Sequence, residues 1–190
     1  MSISKGNSHF DWLAPWYESI FGFPPSDEIK RWLKLPVVGW LLDVGGGTGR
    51  VVAGLINSVD GIVVLDPSMG MLRQARLKPG LSPVQGTAEC LPFQDGMFAR
   101  VLMVDAFHHV QDQGAVLDEL MRVLASEGVL VIEEPNYHHW AVKIVALLER
   151  SIGMRSRFRY PEELAAWIRA RGYHPEVYKH GAMLRIIVVK

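Results

Sequence analysis

The sequence predicts an α/β fold in which helices cover both faces of a doubly wound sheet of seven strands, mostly parallel. Three observations predict it. Five short apolar runs alternate with helical patterns between residues 39 and 171. A glycine-rich loop at residues 45–49 joins the first run to the helical pattern that follows. The last two runs are separated only by His180-Gly181, and they form an antiparallel hairpin because parallel strands need a long crossover.

Each strand is predicted where a short apolar run ends at turn residues. The seven strands cover residues 39–44, 61–65, 82–86, 98–104, 129–134, 173–179 and 182–189. The helices are predicted from N-cap residues, helical spacing and stop signals. The caps are Ser26, Ser68 and Asp112, and Pro161 suits a first helical position. The helices cover residues 26–35, 48–57, 68–77, 112–124, 138–152 and 161–171.

Length and composition indicate one domain spanning residues 1–190. Lys plus Arg and Asp plus Glu number 20 each, so the basic surplus that nucleic-acid binding needs is absent and no nucleic-acid partner is expected. Cys90 is the only cysteine, which excludes an intrachain disulfide. The sequence shows neither the apolar core of a signal peptide nor a run of ~20 apolar residues. We therefore expect a cytoplasmic protein without a transmembrane segment.

The glycine loop indicates a site for a nucleoside-like ligand. Glycine allows a backbone to approach a ligand closely and to adopt positive φ. Gly45, Gly47 and Gly49 follow the pattern G-x-G-x-G, whereas a dinucleotide site uses G-x-G-x-x-G and would need glycine where Arg50 stands. No Gly-Lys-Ser/Thr follows, which excludes a phosphate-binding P-loop. The alternative is a tight turn that merely uses glycine.

Asp66 ends the second strand, 17 residues after Gly49. A carboxylate at that position can accept hydrogen bonds from both hydroxyls of a ribose. The alternative is a charge that complements the dipole of the following helix. Beside the glycine loop, ribose binding is the favoured interpretation.

Four motifs in this order resemble those of class I S-adenosylmethionine-dependent methyltransferases. LLDVGGGTGR (41–50) is similar to the first motif of that family and VVLDPSMGMLRQAR (63–76) to the second. GTAECLPFQDGMFARVLMVDAFHHV (86–110) is similar to the adenine-loop and fourth-strand motif, and RVLASEGVLVIEEP (122–135) to the fifth-strand motif. The small-molecule branch that includes the ubiquinone and menaquinone C-methyltransferases is the most similar. The resemblance implies S-adenosylmethionine as cofactor and a Rossmann-like methyltransferase fold.

The resemblance also implies roles for individual residues. The methionine moiety would lie along the glycine loop, with one acid supporting its ammonium group and another acid facing it from the fourth strand. The ribose would bind an acid after the second strand, and the adenine would lie between a proline and a short loop. The family often has Asp where Thr87 stands, and Glu89 can compensate. The implied cofactor-binding residues are Asp43, Gly45, Gly47, Thr48, Gly49, Asp66, Pro67, Thr87, Ala88, Glu89 and Asp105.

His108 and His109 are the candidate catalytic residues, because they follow the fourth strand where the methyl group should project. Histidine can act as a base near neutral pH. The alternative is a structural role, and such pairs occur as scaffold in this family. His138 and His139 with Glu133 and Glu134 lack a recognisable metal-ligand spacing, so no metal site is predicted.

The resemblance further implies that residues 1–35 form an N-terminal helical lid over the cofactor. We expect the apolar face of the helix at 138–152 to pack on the sheet, with an acceptor pocket, a membrane surface or a second subunit as alternatives. The leading hypothesis is methyl transfer to an unidentified small molecule. A non-catalytic S-adenosylmethionine-binding module or partner subunit is the alternative, and a nicotinamide oxidoreductase is a weaker one. The sequence leaves the acceptor and the oligomeric state unassigned.

Overall fold

Seven strands form a single sheet in the computed structural model, which describes residues 26–151 and 156–190. The strands are β1 (Trp40–Val44), β2 (Gly61–Asp66), β3 (Leu81–Gln85), β4 (Phe98–Val104), β5 (Leu124–Pro135), β6 (Glu176–His180) and β7 (Met183–Val189). The helices are α1 (Ser26–Trp32), α2 (Met69–Ala75), α3 (Gln113–Val123), α4 (Trp140–Ser151) and α5 (Pro161–Ala170). Short 3₁₀ helices cover Ala53–Ser58 and Phe107–His109.

The strand order β3-β2-β1-β4-β5-β7-β6 confirms the predicted fold class. Strands β1 to β5 pair in parallel, and β7 runs antiparallel to both β5 and β6, as the predicted hairpin requires. The carboxyl ends of β1, β2, β4 and β5 therefore lie at the same edge of the sheet. In open sheets of this kind ligands bind at that edge.

Two apolar layers cover the sheet. On one face, α1, the first 3₁₀ helix and α2 bury side chains against the strands, among them Leu33, Leu55 and Leu72. On the other face, α3 and α5 do the same through residues that include Leu117 and Ile168. The predicted caps of α2 and α3 are confirmed, since the side chains of Ser68 and Asp112 accept backbone N–H groups at 3.1 and 3.0 Å.

The helix predicted at residues 48–57 is wrong. A turn follows the glycine loop and leads into the 3₁₀ helix Ala53–Ser58 instead. The segment holds two β-branched residues, Val51 and Val52, and then Gly54, all of which have low intrinsic helix propensity. The loop is therefore followed by a short 3₁₀ segment with a much smaller aligned dipole than the predicted helix.

β5 begins at Leu124, earlier than the predicted start at residue 129, because residues 126–128 form an irregularity within the strand. The pairing with β4 shifts register between Phe98 and Arg100, opposite this segment. Glu127 has φ +61° there. An insertion of this kind bends a strand without ending it, as β-bulges do.

α1 packs against the sheet and not over the carboxyl edge. Ile29 and Leu33 lie in the apolar layer, and the guanidinium of Arg100 in β4 donates to the carbonyls of Leu33 and Lys34. At the other end Arg185 of β7 pairs with Glu28 at 2.8 Å. Residues 1–25 of the predicted lid lie outside the described residues, so the lid stays a prediction for that segment.

α4 covers the sheet only in part. Val142 is buried, whereas Trp140, Ile144 and Leu147 are exposed on the same helix. Among the helices that the structure describes, none combines the length and apolar character needed to cross a bilayer.

We expect Arg100→Met to lower the free energy of unfolding by about 3 kcal/mol, because it removes charge-assisted hydrogen bonds that hold the end of α1 and leaves buried carbonyls without a donor. Urea denaturation measures the change. Arg76→Met, on an exposed arginine, is the control and should change stability by less than about 0.5 kcal/mol. Equal effects of the two substitutions would contradict the anchoring role of Arg100.

Candidate functional site

The carboxyl edge of the sheet brings the predicted site residues into one region. The glycine loop follows β1, Asp66 and Pro67 end β2, residues 87–89 follow β3, and residues 105–109 follow β4. Within this region the glycine loop contacts both neighbours, the β2 end through Asp66 and the β4 end through Ala106. Residues 87–89 contact the segment after β4 through Glu89.

The four glycines of the loop differ in how close a Cβ at each position would lie to other atoms. A Cβ at Gly45 would lie 2.6 Å from the Cβ of Ala106, and one at Gly49 would lie 2.5 Å from Leu81 Cδ1. A Cβ at Gly46 would lie 2.4 Å from Asp43 Oδ2. At Gly47, with φ +56°, the nearest atoms would be 3.9 Å away or more. Gly47 therefore has the least crowded surroundings of the four, while the other three allow close packing inside the protein.

Asp43 lies beneath this loop and is almost completely buried, with 1% of its surface exposed. Burial, and secondly the charge of Asp66, raise the pKa of Asp43 to about 7, with Arg50 acting in the opposite direction. Among the described residues, Asp43 Oδ2 and the hydroxyl of Thr48 are buried without a hydrogen-bond partner. Unpartnered buried polar atoms are costly, and their presence indicates a place where a ligand or water supplies the partner.

The carboxylate of Asp66 is held by two backbone amides. Gly47 N donates to Oδ2 at 3.0 Å and Ser68 N donates to Oδ1 at 2.8 Å. Asp66 is mostly buried, at 8% exposure, and it lies beside the uncrowded Gly47. Pro67 is half-buried next to it, and its carbonyl accepts from Gln85 at 3.1 Å.

The loop after β3 is closed by a bridge between Thr87 and Cys90. Thr87 is exposed and Ala88 is buried in the apolar layer. Glu89 Oε1 accepts the backbone N–H of Gln111 at 2.8 Å, so this carboxylate connects the loop to the segment after β4. That contact gives Glu89 a structural role that the sequence did not predict.

Asp105 follows β4 in a left-handed conformation, with φ +53°. Its amide donates to Glu133 O at 2.8 Å and its side chain is exposed at the carboxyl edge. Such a backbone costs about 1–3 kcal/mol for a residue other than glycine and persists only where the surroundings enforce it. The next residue, Ala106, is the one that packs against Gly45.

The two histidines occupy different environments. His108 is 3% exposed, and its Nδ1 lies 2.6 Å from Glu134 Oε2. Its ring stacks on Phe158, with centroids 4.5 Å apart. His109 is half-buried, and its Nδ1 lies 3.2 Å from the hydroxyl of Ser156. Burial, and secondly the neighbouring His108, lower the pKa of His109 to about 3.

Residues 156–160 form a strap across the segment after β4, which sequence reasoning missed. Arg157 N donates to His108 O at 2.6 Å, and Gln113 Nε2 donates to the carbonyls of Phe107 and Arg157. The rings of Tyr137 and Phe158 stack beside the histidines. The strap is a non-local contact with no sequence motif to reveal it.

Glu134, which contacts His108, is another residue whose role the sequence did not predict. The sequence placed it beside histidines only as a rejected metal ligand, and in the structure His138 pairs instead with Glu162 at 2.9 Å. The visible signal was an acid at the end of a buried strand, in the run VIEEP.

We expect Asp43→Asn to remove a loss of folding stability that depends on pH. Because the folded-state pKa of Asp43 lies above its ordinary value of 3.8, the folded protein holds the proton more tightly and wild-type stability falls as pH rises from about 4 to 7. Relative to the variant, wild type should lose on the order of 3–4 kcal/mol across that window. Urea denaturation at pH 4.5, 6 and 7.5 tests this, and a difference constant with pH would contradict it.

We expect the imidazole of His109 to stay neutral down to pH 5, because its pKa is about 3. NMR titration of the histidine ring protons measures this, with His109→Gln used to identify the signal. A titration midpoint above pH 5 would show that the burial of His109 is less complete than the structure indicates.

Comparison with known proteins shows which proteins this chain resembles. A family model described as a methyltransferase domain matches residues 42–132. A demethylmenaquinone methyltransferase of Renibacterium salmoninarum is 32% identical over 133 residues, which cover 66% of this chain and 56% of that protein. The chain spans about half the length of several curated relatives that it matches, from 41% to 56%.

Solved structures share the fold over nearly the whole chain. A chain from the complex between the Haloferax volcanii Trm112 methyltransferase activator and its methyltransferase partner has a TM-score of 0.84 at 18% identity, covering 97% of each chain. A SAM-dependent methyltransferase of Thermotoga maritima has a TM-score of 0.75 at 25% identity, covering 95% of this chain and 98% of that one. A DhpI–SAM–HEP complex has a TM-score of 0.75 at 20% identity and full coverage of both chains. In its methyltransferase-domain match and in its fold, the chain is similar to the class I S-adenosylmethionine-dependent methyltransferases.

Proposed function

We propose that the protein binds S-adenosylmethionine at the glycine loop and transfers its methyl group to a small molecule. The observation that carries the proposal is the pairing of an uncrowded glycine, Gly47, with the fixed carboxylate of Asp66. One structural neighbour, DhpI, is a complex with SAM, which supports the same ligand here. Bound S-adenosylmethionine would supply an activated sulfonium carrying the methyl group.

The residues present fit this cofactor. The uncrowded Gly47 admits a ligand against the backbone, and Asp66 offers carboxylate oxygens of the kind that bind both hydroxyls of a ribose. The buried oxygens of Asp43 and Thr48 need partners, and a ligand with donor and cationic groups meets that need. These backbone and oxygen groups of the protein therefore suit a nucleoside that carries a positive charge.

We infer individual roles from where the residues lie. Gly45, Gly49 and Thr48 would hold the shape of the methionine end of the site, with the carboxyl group of Asp43 beneath it. Pro67 and Ala88 flank the adenine, and Thr87 offers a hydroxyl at its edge. Asp105 is exposed at the end of β4, where it can meet the methionine amino group.

The acceptor would bind beside the ends of β4 and β5. The half-buried rings of Phe158 and Tyr137 stack there and form a wall suited to a flat molecule, with the buried ring of His108 stacked on Phe158. The relative in Renibacterium salmoninarum is named for a quinone-type acceptor, which agrees with such a wall. Methyl transfer from a sulfonium depends mostly on positioning and water exclusion. His108 or His109 could accept a proton from the acceptor.

Transfer of labelled methyl from S-adenosylmethionine to acceptors tests the reaction. We expect transfer to a cell extract component or to a small aromatic acceptor such as a hydroquinone. Binding of S-adenosylhomocysteine without any transfer would favour the non-catalytic module, and absence of both would overturn the proposal.

We expect Asp66→Asn to weaken S-adenosylhomocysteine binding about 10- to 100-fold, because one charged acceptor of the ribose hydroxyls is lost. Calorimetry measures the dissociation constant, and circular dichroism checks that the variant is folded. Asp60→Asn, on an exposed acid just before the opposite end of β2, is the matched control and should bind as wild type does. Unchanged affinity in Asp66→Asn would count against the ribose role.

A further inference from the structure

We propose that Glu134 is a positioning residue that sets both the shape of the cofactor site and the orientation of His108. The inference rests on the proposed function and deepens it, because it concerns how the acceptor side of that site is held. Glu134 ends β5 one residue before Pro135 and is 5% exposed. Neither the glycine loop nor the ribose acid depends on it directly.

One carboxylate gathers four donors from consecutive residues. Glu134 Oε1 accepts Ala106 N at 2.9 Å and Phe107 N at 2.8 Å. Glu134 Oε2 accepts His108 N at 3.2 Å and lies 2.6 Å from His108 Nδ1. Hydrogen bonds to a buried carboxylate are among the stronger ones in proteins, so this arrangement ties the end of β5 to the segment after β4.

The Oε1 side of this arrangement controls the cofactor site. The two amides that it holds belong to Ala106 and its neighbour, and Ala106 packs against Gly45 so closely that a Cβ on the glycine would lie 2.6 Å away. Ala106 and Phe107, whose amides form these bonds, come directly after Asp105. The bonds therefore fix the backbone just after this left-handed residue. Glu134 thereby fixes the gap between the glycine loop and the segment after β4.

The Oε2 side controls the histidine. A carboxylate accepts only, so His108 Nδ1 must be the nitrogen that carries the hydrogen. In the neutral imidazole the lone pair is then on Nε2, an arrangement in which a carboxylate fixes the tautomer of a histidine. Phe158 stacks on the same ring and limits its rotation.

The variant Glu134→Gln separates the effect of the Oε1 side on the cofactor site from the effect of the Oε2 side on His108. The amide nitrogen should face His108, because the imidazole there can change tautomer and accept at Nδ1, and only one backbone amide, His108 N, then loses its acceptor. The opposite orientation would leave two backbone amides, those of Ala106 and Phe107, without an acceptor. We expect the 15N NMR signals of His108 to change from an Nδ1–H form to an Nε2–H form. The kcat for methyl transfer should fall about 10-fold or more, a loss within the range of misplaced acid–base groups. The dissociation constant of S-adenosylhomocysteine should change less than about threefold, since the bonds to Ala106 and Phe107 are kept.

Glu134→Ala removes both sides and should weaken S-adenosylhomocysteine binding as well as kcat. Glu133→Gln is the matched control. Glu133 precedes Glu134, is partly buried and pairs with Arg185, so its loss should lower stability while leaving kcat and the His108 signals unchanged. If Glu134→Ala does not fold, Glu134→Gln alone still decides between the alternatives.

An unchanged His108 tautomer together with unchanged kcat in Glu134→Gln would overturn the inference. Equal losses in Glu134→Gln and Glu133→Gln would also overturn it, because they would indicate a general effect on stability. Wild-type protein that neither binds S-adenosylhomocysteine nor transfers methyl would overturn the proposed function instead. The tautomer measurement would then still decide whether Glu134 orients His108.

Discussion

The contact between Gly45 and Ala106 is the constraint on which the rest of the site depends. It joins the loop after β1 to the segment after β4, and no side chain larger than hydrogen fits at Gly45. Each of the two residues is also held by a hydrogen bond to another strand. Gly45 N donates to Leu65 O at 2.7 Å, and Ala106 N donates to Glu134. The position of the loop thus follows from three strand ends at once, which explains why the site lies at the carboxyl edge.

Much of this structure could be predicted from the sequence, because it depends on local signals. The strands are short apolar runs with clear ends, and the caps Ser68 and Asp112 act within three residues of themselves. The closing hairpin follows from the length of its turn. The helix predicted after the glycine loop was wrong because Val51, Val52 and Gly54 have low helix propensity. The early start of β5 depended on pairing with β4, which no local pattern reveals.

The candidate site was predictable on its cofactor side and much less so on its acceptor side. The glycine loop and Asp66 lie within one βαβ-like unit, so their spacing carries the information. Glu134 and the strap at residues 156–160 act on His108 from 26 residues away and more. Such contacts exist only once the sheet has formed. The resemblance to methyltransferases and the proposed cofactor rest on the first kind of information, and the proposed role of Glu134 rests on the second.

The 3₁₀ segment after the glycine loop has a consequence for which ligands the site can hold. Loops that bind pyrophosphate are followed by an α-helix whose dipole attracts negative charge. Here the aligned backbone is short, and two acids lie at the ends of adjacent strands, Asp66 as the last residue of β2 and Asp43 next to the last residue of β1. The backbone therefore offers little positive field, and the carboxylate of Asp66 adds negative charge. Such a site attracts a phosphate group less strongly than a loop followed by a full α-helix does.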